Sequence, residues 1–217
     1  MFYGWYVVGG AALIAVWSWG LGFYGLSIYL VSLRAAHPWS TGAVSMAITA
    51  FYLIGAVLTA FAGHAMRRFG PRVTVAACAL AMAAGVGSLP LVAEIWQLYL
   101  AFAVLAVGWA GMSGAAINIL LAPWFEARRG LAVSLALTGA SLGGVVVAPA
   151  MLALIGSLGF PAGVWILVAG MLVTVLPVAF AVLGSTPASR GVNPDGAAVP
   201  PWAATPPPAQ PVAARPD

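Results

Sequence analysis

One serine has the local sequence of an intramembrane nucleophile. Ser113 lies in a Gly-x-Ser-Gly run, inside an apolar segment that is long enough to cross a membrane. A serine hydroxyl becomes a good nucleophile only when a neighbouring base, most often a histidine, accepts its proton. No histidine follows His64 in the chain, so no later segment supplies that base. The sequence argues against an intramembrane protease and we expect no enzymatic activity; Ser113 is interpreted as a small packing or cavity-lining residue.

Ionisable groups are almost absent from the apolar segments as a whole. Between the loops that end these segments, the only titratable candidate is His64, at the rim of the second segment. Proton relays and charged-substrate sites in membranes are built from intramembrane acids and bases. We therefore expect no coupling relay in these segments, and we interpret His64 as a rim residue rather than a proton carrier. The single Cys78 has no partner, which excludes a disulfide framework and a metal cluster, and no cofactor is expected.

Three of the eight cationic side chains lie in one short run, Gly63-His64-Ala65-Met66-Arg67-Arg68-Phe69-Gly70-Pro71-Arg72. Glycine tolerates a positive φ and proline cannot donate to the preceding turn, so the Gly-Pro pair ends a helix. Apolar segments precede and follow the run, which predicts a tight turn between two antiparallel membrane helices. Because arginine enters hydrocarbon only at a high cost, it concentrates in cytoplasmic loops. The run therefore predicts a cytoplasmic loop that sets the orientation of the chain.

The composition places these residues in a membrane. Of the 217 residues, 63% are hydrophobic and 6% are charged, and the mean hydropathy is +1.05, outside the range of soluble domains. A helix needs about 20 apolar residues to cross a bilayer. Six predicted helices satisfy this, over about residues 6–33, 41–66, 72–90, 95–121, 129–155 and 162–183. The formal charge of +4 includes no basic run that suggests nucleic acid, and the first apolar run is too long for a cleavable signal peptide.

The distribution of arginine predicts the topology of the six helices. The connections after odd-numbered helices hold only Arg34. The connections after even-numbered helices hold Arg67, Arg68, Arg72, Arg128, Arg129 and Arg190. Such a positive-inside bias puts both termini in the cytoplasm of a multi-pass protein of the cell membrane. Residues 1–184 form the predicted transmembrane domain, and the Pro- and Ala-rich residues 185–217 are predicted to be a disordered cytoplasmic tail.

A second charged loop precedes a helix that is rich in glycine. The loop and the start of the helix read Trp124-Phe125-Glu126-Ala127-Arg128-Arg129-Gly130-Leu131-Ala132. The helix continues through Gly139, Gly143 and Gly144, and Pro149 should bend it. Gly139 and Gly143 form a Gly-x-x-x-Gly pair, which lets helix backbones approach closely in lipid.

These two loops resemble loops of a known family. The pattern Gly-x-x-x-x-Arg-x-Gly-x-Arg, placed after the second membrane helix, resembles the signature loop of the major facilitator superfamily. The run Trp-Phe-x-x-Arg-Arg-Gly-Leu-Ala resembles the junction of helices four and five in the monocarboxylate and oxalate/formate-type branch of that family. A generic positive-inside loop also accounts for the first pattern, but two matches one helix pair apart are more specific. Arg67 departs from the signature, which has an acidic residue at that position.

The resemblance implies an all-α membrane fold of six transmembrane helices, arranged as two inverted three-helix repeats. It implies the amino-terminal half of a secondary transporter that moves small organic anions, such as monocarboxylates, oxalate or formate, by alternating access. The tail that begins near Thr186 resembles the start of the loop that joins the two halves. The implied partners are the lipid bilayer, the small-molecule substrate, and a second six-helix half or another copy. The alternative is a truncated or split membrane module that does not transport without a second half.

The resemblance also implies roles for particular residues. The implied gating loop consists of Gly63, Arg67, Arg68, Gly70 and Arg72, and the second cytoplasmic loop holds Arg128, Arg129 and Gly130. The candidate cavity-lining residues are Trp17, Tyr24, Trp109, Ser113 and Ser141. Trp17, Gly20, Tyr24 and Ser27 are predicted to share one face of the first helix, and helix packing is the alternative interpretation of that face.

Overall fold

The computed structural model describes residues 2–196 and contains six apolar helices, each long enough to cross a bilayer. They are α1 (Gly4–Ala36), α2 (Thr41–Phe69), α3 (Pro71–Leu91), α4 (Ile95–Leu121), α5 (Arg129–Leu158) and α6 (Phe160–Ala181). Within residues 2–196 no strand is present. The predicted all-α membrane fold with six spans is confirmed.

Local signals explain where the helices begin and end. The Ser40 hydroxyl accepts a hydrogen bond from the Ala43 amide (3.1 Å) and caps the start of α2. Gly70 has a φ of 82° and separates α2 from α3, which begins at Pro71. Arg67 and Arg68 lie in the last turn of α2, where a cation interacts favourably with the negative end of the helix dipole. The helix therefore continues through both arginines and ends only at the glycine.

Three of the four helix pairs in most extensive contact follow the pattern of an internal repeat. The most extensive packing joins α3 to α4, α1 to α5, α2 to α4, and α3 to α6. Exchanging the first three helices for the last three converts the α1–α5 pair into the α4–α2 pair and leaves the α3–α6 pair unchanged. The α3–α4 pair is the exception, because its counterpart, the α6–α1 pair, packs much less extensively. Because three is an odd number of spans, the second repeat must cross the membrane in the opposite direction to the first. The packing agrees with two inverted three-helix repeats.

Glycines permit close backbone contacts in two pairs of helices. A methyl group on Gly139 would collide with the carbonyl oxygen of Ala12, and one on Gly143 would lie 2.5 Å from the carbonyl oxygen of Val16. These contacts join α5 to α1. A methyl group on Gly108 of α4 would lie 2.5 Å from the amide nitrogen of Met82 in α3. In lipid such close approach is a main source of helix association, because lipid tails are as apolar as the side chains.

Two short π-helical segments interrupt α1 and α5 and contact each other. They span Gly20–Tyr24 in α1 and Gly143–Val147 in α5. Pro149 follows the second segment. Proline has no amide hydrogen to donate and its ring is bulky, and the wider π-helical turn accommodates both features. A π-helical turn holds one residue more than an α-helical turn, so side chains on its two sides lose the α-helical register. In α1 this shift changes the direction of Tyr24 relative to the aromatic residues that precede the segment.

Candidate functional site

Three aromatic side chains near the middle of the bundle join the helices α1, α2 and α4. The ring centroids of Trp19 and Trp109 are 5.1 Å apart, and those of Phe51 and Trp109 are 6.0 Å apart in an edge-to-face arrangement. Such pairs are more favourable than their buried area alone implies. We refer to Trp19, Phe51 and Trp109 as the aromatic cluster.

Small residues make room for the aromatic cluster. A methyl group on Gly22 would lie 2.7 Å from the Trp109 ring, and one on Gly55 would lie 3.3 Å from it. Trp19 lies against Gly114, where an added methyl group would be 3.5 Å from the indole. The two indole rings are therefore held between backbone segments of α1, α2 and α4, which fixes their orientation.

Trp109 and Ser113, both predicted from the sequence, lie one turn apart on α4. Ser113 is buried, and its hydroxyl donates to the Ala110 carbonyl (3.1 Å) and accepts from the Ala116 amide (3.4 Å). The helix is interrupted at this residue, and Ser113 caps the segment Gly114–Leu121. Ser113 therefore acts as a helix cap at a break in α4, close to the aromatic cluster.

Trp17 and Tyr24 do not share a face of α1 as predicted. Trp17 packs against α6, where a methyl group on Gly170 would lie 3.3 Å from its ring. Tyr24 packs against Gly144 of α5 and is 36% exposed. The π-helical segment between the two residues removes the α-helical register on which the prediction depended. Trp19, which the sequence analysis missed, is the α1 aromatic that contacts Trp109; its position directly before the glycine-rich run Gly20–Gly22 was the available signal.

Ser141 lies on the opposite side of α5 from the glycines that contact the α1 backbone, because it is two residues away from both Gly139 and Gly143. Gly144, which lies against Tyr24, is three residues further along α5. Ser141 is exposed.

The arginines of the Gly63–Arg72 loop point to different neighbours. The Arg67 guanidinium lies along α2 near Gly63, and Arg68 lies over the Phe69 ring at 5.5 Å from its centroid. Arg72 reaches the chain after α6, where a methyl group on Gly184 would lie 3.5 Å from its Nη1 atom. The loop therefore connects the start of α3 with the end of α6.

The second arginine-rich loop is anchored by two buried aromatic residues. Trp124 and Phe125 are 3% and 1% exposed. The Phe125 ring contacts Phe2 and Trp5, with centroid distances of 5.5 and 5.1 Å, and Trp124 contacts Tyr3 at 5.3 Å. Arg128 and Arg129 follow at the start of α5, and Gly130 has open space around it. The loop thus holds the start of α1 against the start of α5.

Residues 185–196 differ from the disordered tail that the sequence predicts. The Asp195 carboxylate accepts hydrogen bonds from the amides of Glu126 (3.0 Å), Ala127 (2.7 Å) and Arg128 (3.3 Å). The Asp195 amide donates to the Trp124 carbonyl (2.9 Å). Desolvation raises the pKa of Asp195, but the three amides and the Arg128 charge outweigh it and leave the pKa below its usual 3.8. The rest of the predicted tail, residues 197–217, lies outside the described residues.

Comparison with known proteins identifies the family of the chain. No curated protein matches the chain. The family model described as Major Facilitator Superfamily matches residues 7–214, a range that contains nearly all of the six helices. The chain is therefore a multi-pass integral membrane protein that belongs to the major facilitator superfamily of membrane transporters.

Proposed function

We propose that this protein transports small organic anions by alternating access, with its six helices forming the amino-terminal half of a carrier. Both ends of the six-helix domain are proposed to lie in the cytoplasm of a cell-membrane protein. Membership of the superfamily supports transport, and the arginine distribution supports the orientation. Carriers of this kind bind their substrate near the midplane, between two halves that rock against each other.

The observation that carries the proposal is the aromatic cluster, together with two exposed side chains that bear hydroxyl groups, Tyr24 of α1 and Ser141 of α5. Trp19 and Trp109 contact each other within the cluster, and Tyr24 lies against Gly144 of α5, three residues from Ser141. Flat aromatic rings and a few convergent donors are typical of small-molecule sites. We propose these four residues as the part of the substrate site that this half provides.

The chemistry of these residues supports an anionic substrate. No Asp or Glu is present within the six helices, so no carboxylate of this half repels an anion. Indole N–H and hydroxyl groups donate hydrogen bonds and suit a carboxylate acceptor. The resemblance of the loop before α5 to the monocarboxylate and oxalate/formate-type branch supports the same cargo. The positive charges that balance the anion are proposed to belong to a second half or another copy.

We propose that the Gly63–Arg72 loop is the gate at the cytoplasmic side. Its Gly70–Pro71 turn is tight, and Arg72 already contacts the chain after α6. Arg67 occupies the acidic position of the family signature, which puts a second cation beside Arg68. Repulsion between the two guanidinium groups should weaken closure of this gate.

A ligand-stability measurement tests the substrate site. The full chain is placed in lipid nanodiscs, and thermal unfolding is followed with oxalate, formate or lactate and with the corresponding neutral amides. A ligand that binds only the folded protein raises the midpoint, so at least one anion should raise it and its amide should not. Trp109→Ala should abolish the shift, and Trp96→Ala, which changes a 62% exposed residue of the same helix, should preserve it. An equal shift in both variants, or none with any anion, would contradict the proposed site.

A transport assay tests whether these six helices act as one half of a carrier, which needs a second half to move its substrate. The chain reconstituted alone should insert and move no anion above empty liposomes, because one half cannot expose a central site alternately. Saturable uptake by this chain alone would require a carrier formed by two copies. Arg67→Asp should change uptake only when a complementary half is supplied.

A further inference from the structure

A short segment after α6 is folded across the arginine-rich end of the bundle. We call residues 185–196 the strap. Within it, the Ser189 hydroxyl donates to the Thr186 carbonyl (2.8 Å), and the Thr186 amide donates to the Ser189 hydroxyl (3.0 Å). The Arg190 guanidinium donates to the Ser185 hydroxyl (3.1 Å). These local hydrogen bonds give the strap a defined turn of its own.

The middle of the strap is attached to the start of α1. The Arg190 guanidinium lies over the Tyr3 ring, 3.4 Å from its centroid, in a cation–π contact. The Tyr3 hydroxyl lies 3.2 Å from the carbonyls of Ala181 and Val182 and donates to them at the end of α6. Tyr3 therefore links the start of α1 both to the strap and to the helix from which the strap emerges.

The end of the strap is attached to the loop before α5. Asp195 adopts a φ of 60°, a left-handed conformation that Asp tolerates better than most residues. Its Oδ2 atom accepts from Glu126 and Ala127, and its Oδ1 atom accepts from Arg128. Hydrogen bonds from amides to a carboxylate are stronger than neutral ones, and a negative charge at this end of α5 is favourable to the helix dipole. Asp195 thus holds three amides of the loop that leads directly into α5.

We propose that the strap is a latch that fastens the start of α5 and the end of α6 to the start of α1. Its closing contact is the Asp195 carboxylate on the amides of residues 126–128. With the latch closed, these three helix ends move as one body. With it open, the loop before α5 loses its attachment to α6 and moves separately. The latch does not depend on the identity of the transported solute.

Amide hydrogen exchange on the full chain in nanodiscs tests the latch. Asp195→Asn keeps the shape of the side chain but turns an NH₂ group towards one of the amides, so one acceptor is replaced by a donor. Exchange at residues 126–128 should accelerate about tenfold or more, the range expected when hydrogen bonds to a charged group are lost. Glu126→Gln is the matched control, because it removes a carboxylate from the same loop and the Glu126 side chain is not part of the latch. This variant should leave amide exchange at residues 126–128 unchanged.

Two further measurements separate a latch from a general loss of structure. Exchange within α3 and α4 should be the same in all variants, and trypsin should cleave after Arg190 faster only in the Asp195 variants. Asp195→Ser, which also removes the charge, should reproduce both effects if the Asn variant inserts poorly. Wild-type exchange at residues 126–128 in either Asp195 variant would overturn the proposal. So would an equal acceleration in Glu126→Gln.

Discussion

The close contact between α1 and α5 predicts a stability difference between two otherwise equivalent glycine substitutions in α5. Gly139 lies directly on the α1 backbone, where an added methyl group would collide with the Ala12 carbonyl oxygen and lie 3.0 Å from the Ala15 Cβ atom. Gly156 lies in the same helix, and an added methyl group would meet nothing within 4 Å. Gly139→Ala and Gly156→Ala therefore share the change in helix propensity and differ in the contact with α1.

The size of the difference follows from two opposing effects. Replacing Gly by Ala in a helix is favourable by roughly 1 kcal/mol in both variants. Overpacking a contact that cannot relax costs about 1–3 kcal/mol, and the Ala12 backbone cannot rotate away as a side chain can. Gly156→Ala should be as stable as the wild type or more stable. Gly139→Ala should be less stable than Gly156→Ala by about 1–3 kcal/mol.

Reversible unfolding in mixed micelles, followed by helix content, measures this difference. The comparison of the two variants with each other cancels the propensity effect, so the contact alone remains. A Gly139→Ala protein that is as stable as Gly156→Ala would refute the inference that α1 and α5 are held by backbone contact at this glycine.

Three further predictions concern topology, capping and acid release. Reporter fusions should alternate outside and inside, in this order, after Arg34, Arg72, Glu94, Arg129, Gly159 and Arg190; an outside signal at Arg72 or Arg129 would disprove the topology. Ser113→Ala should cost about 1 kcal/mol in unfolding measurements because it removes a cap, whereas Ser141→Ala should cost little. Folding lowers the pKa of Asp195, so the latch should be fully closed above about pH 4 and should open as the pH falls through the lower pKa of the folded state; the other charged residues near it are Glu126, Arg128 and Arg190. Amide exchange at residues 126–128, corrected for the intrinsic exchange rate at each pH, should show this opening. Unchanged protection of these amides in acid would contradict the prediction.

The sequence alone predicted the number of spans and several of their ends. Each span is a continuous apolar run, and its length is a local property that needs no knowledge of neighbours. The Ser40 cap and the Gly70–Pro71 turn were equally local, because they depend on the conformational limits of single residues. The two arginine-rich loops indicated the family on their own, since their signal is a short run of adjacent residues.

The tertiary structure decided which aromatic residues meet. An α-helical register was the reasonable assumption for α1, but the segment Gly20–Tyr24 is π-helical where it contacts the segment Gly143–Val147. The π-helical segment of α1 moves Tyr24 out of register with Trp17, whereas Trp19 precedes it and meets Trp109 because of the way α1 packs on α4. No periodicity in α1 alone contains that information, because it depends on which neighbouring helix each side of α1 meets.

The latch also depends on contacts that only the folded chain makes. Asp195 is separated by 67 to 69 positions from the amides that it binds, and it lies in a segment whose composition favours disorder. The composition of a segment indicates whether it can form a buried apolar core, and the strap buries little apolar surface. The hydrogen bonds of a single carboxylate to three amides just before a helix hold the strap in place, and only the tertiary structure brings those groups together.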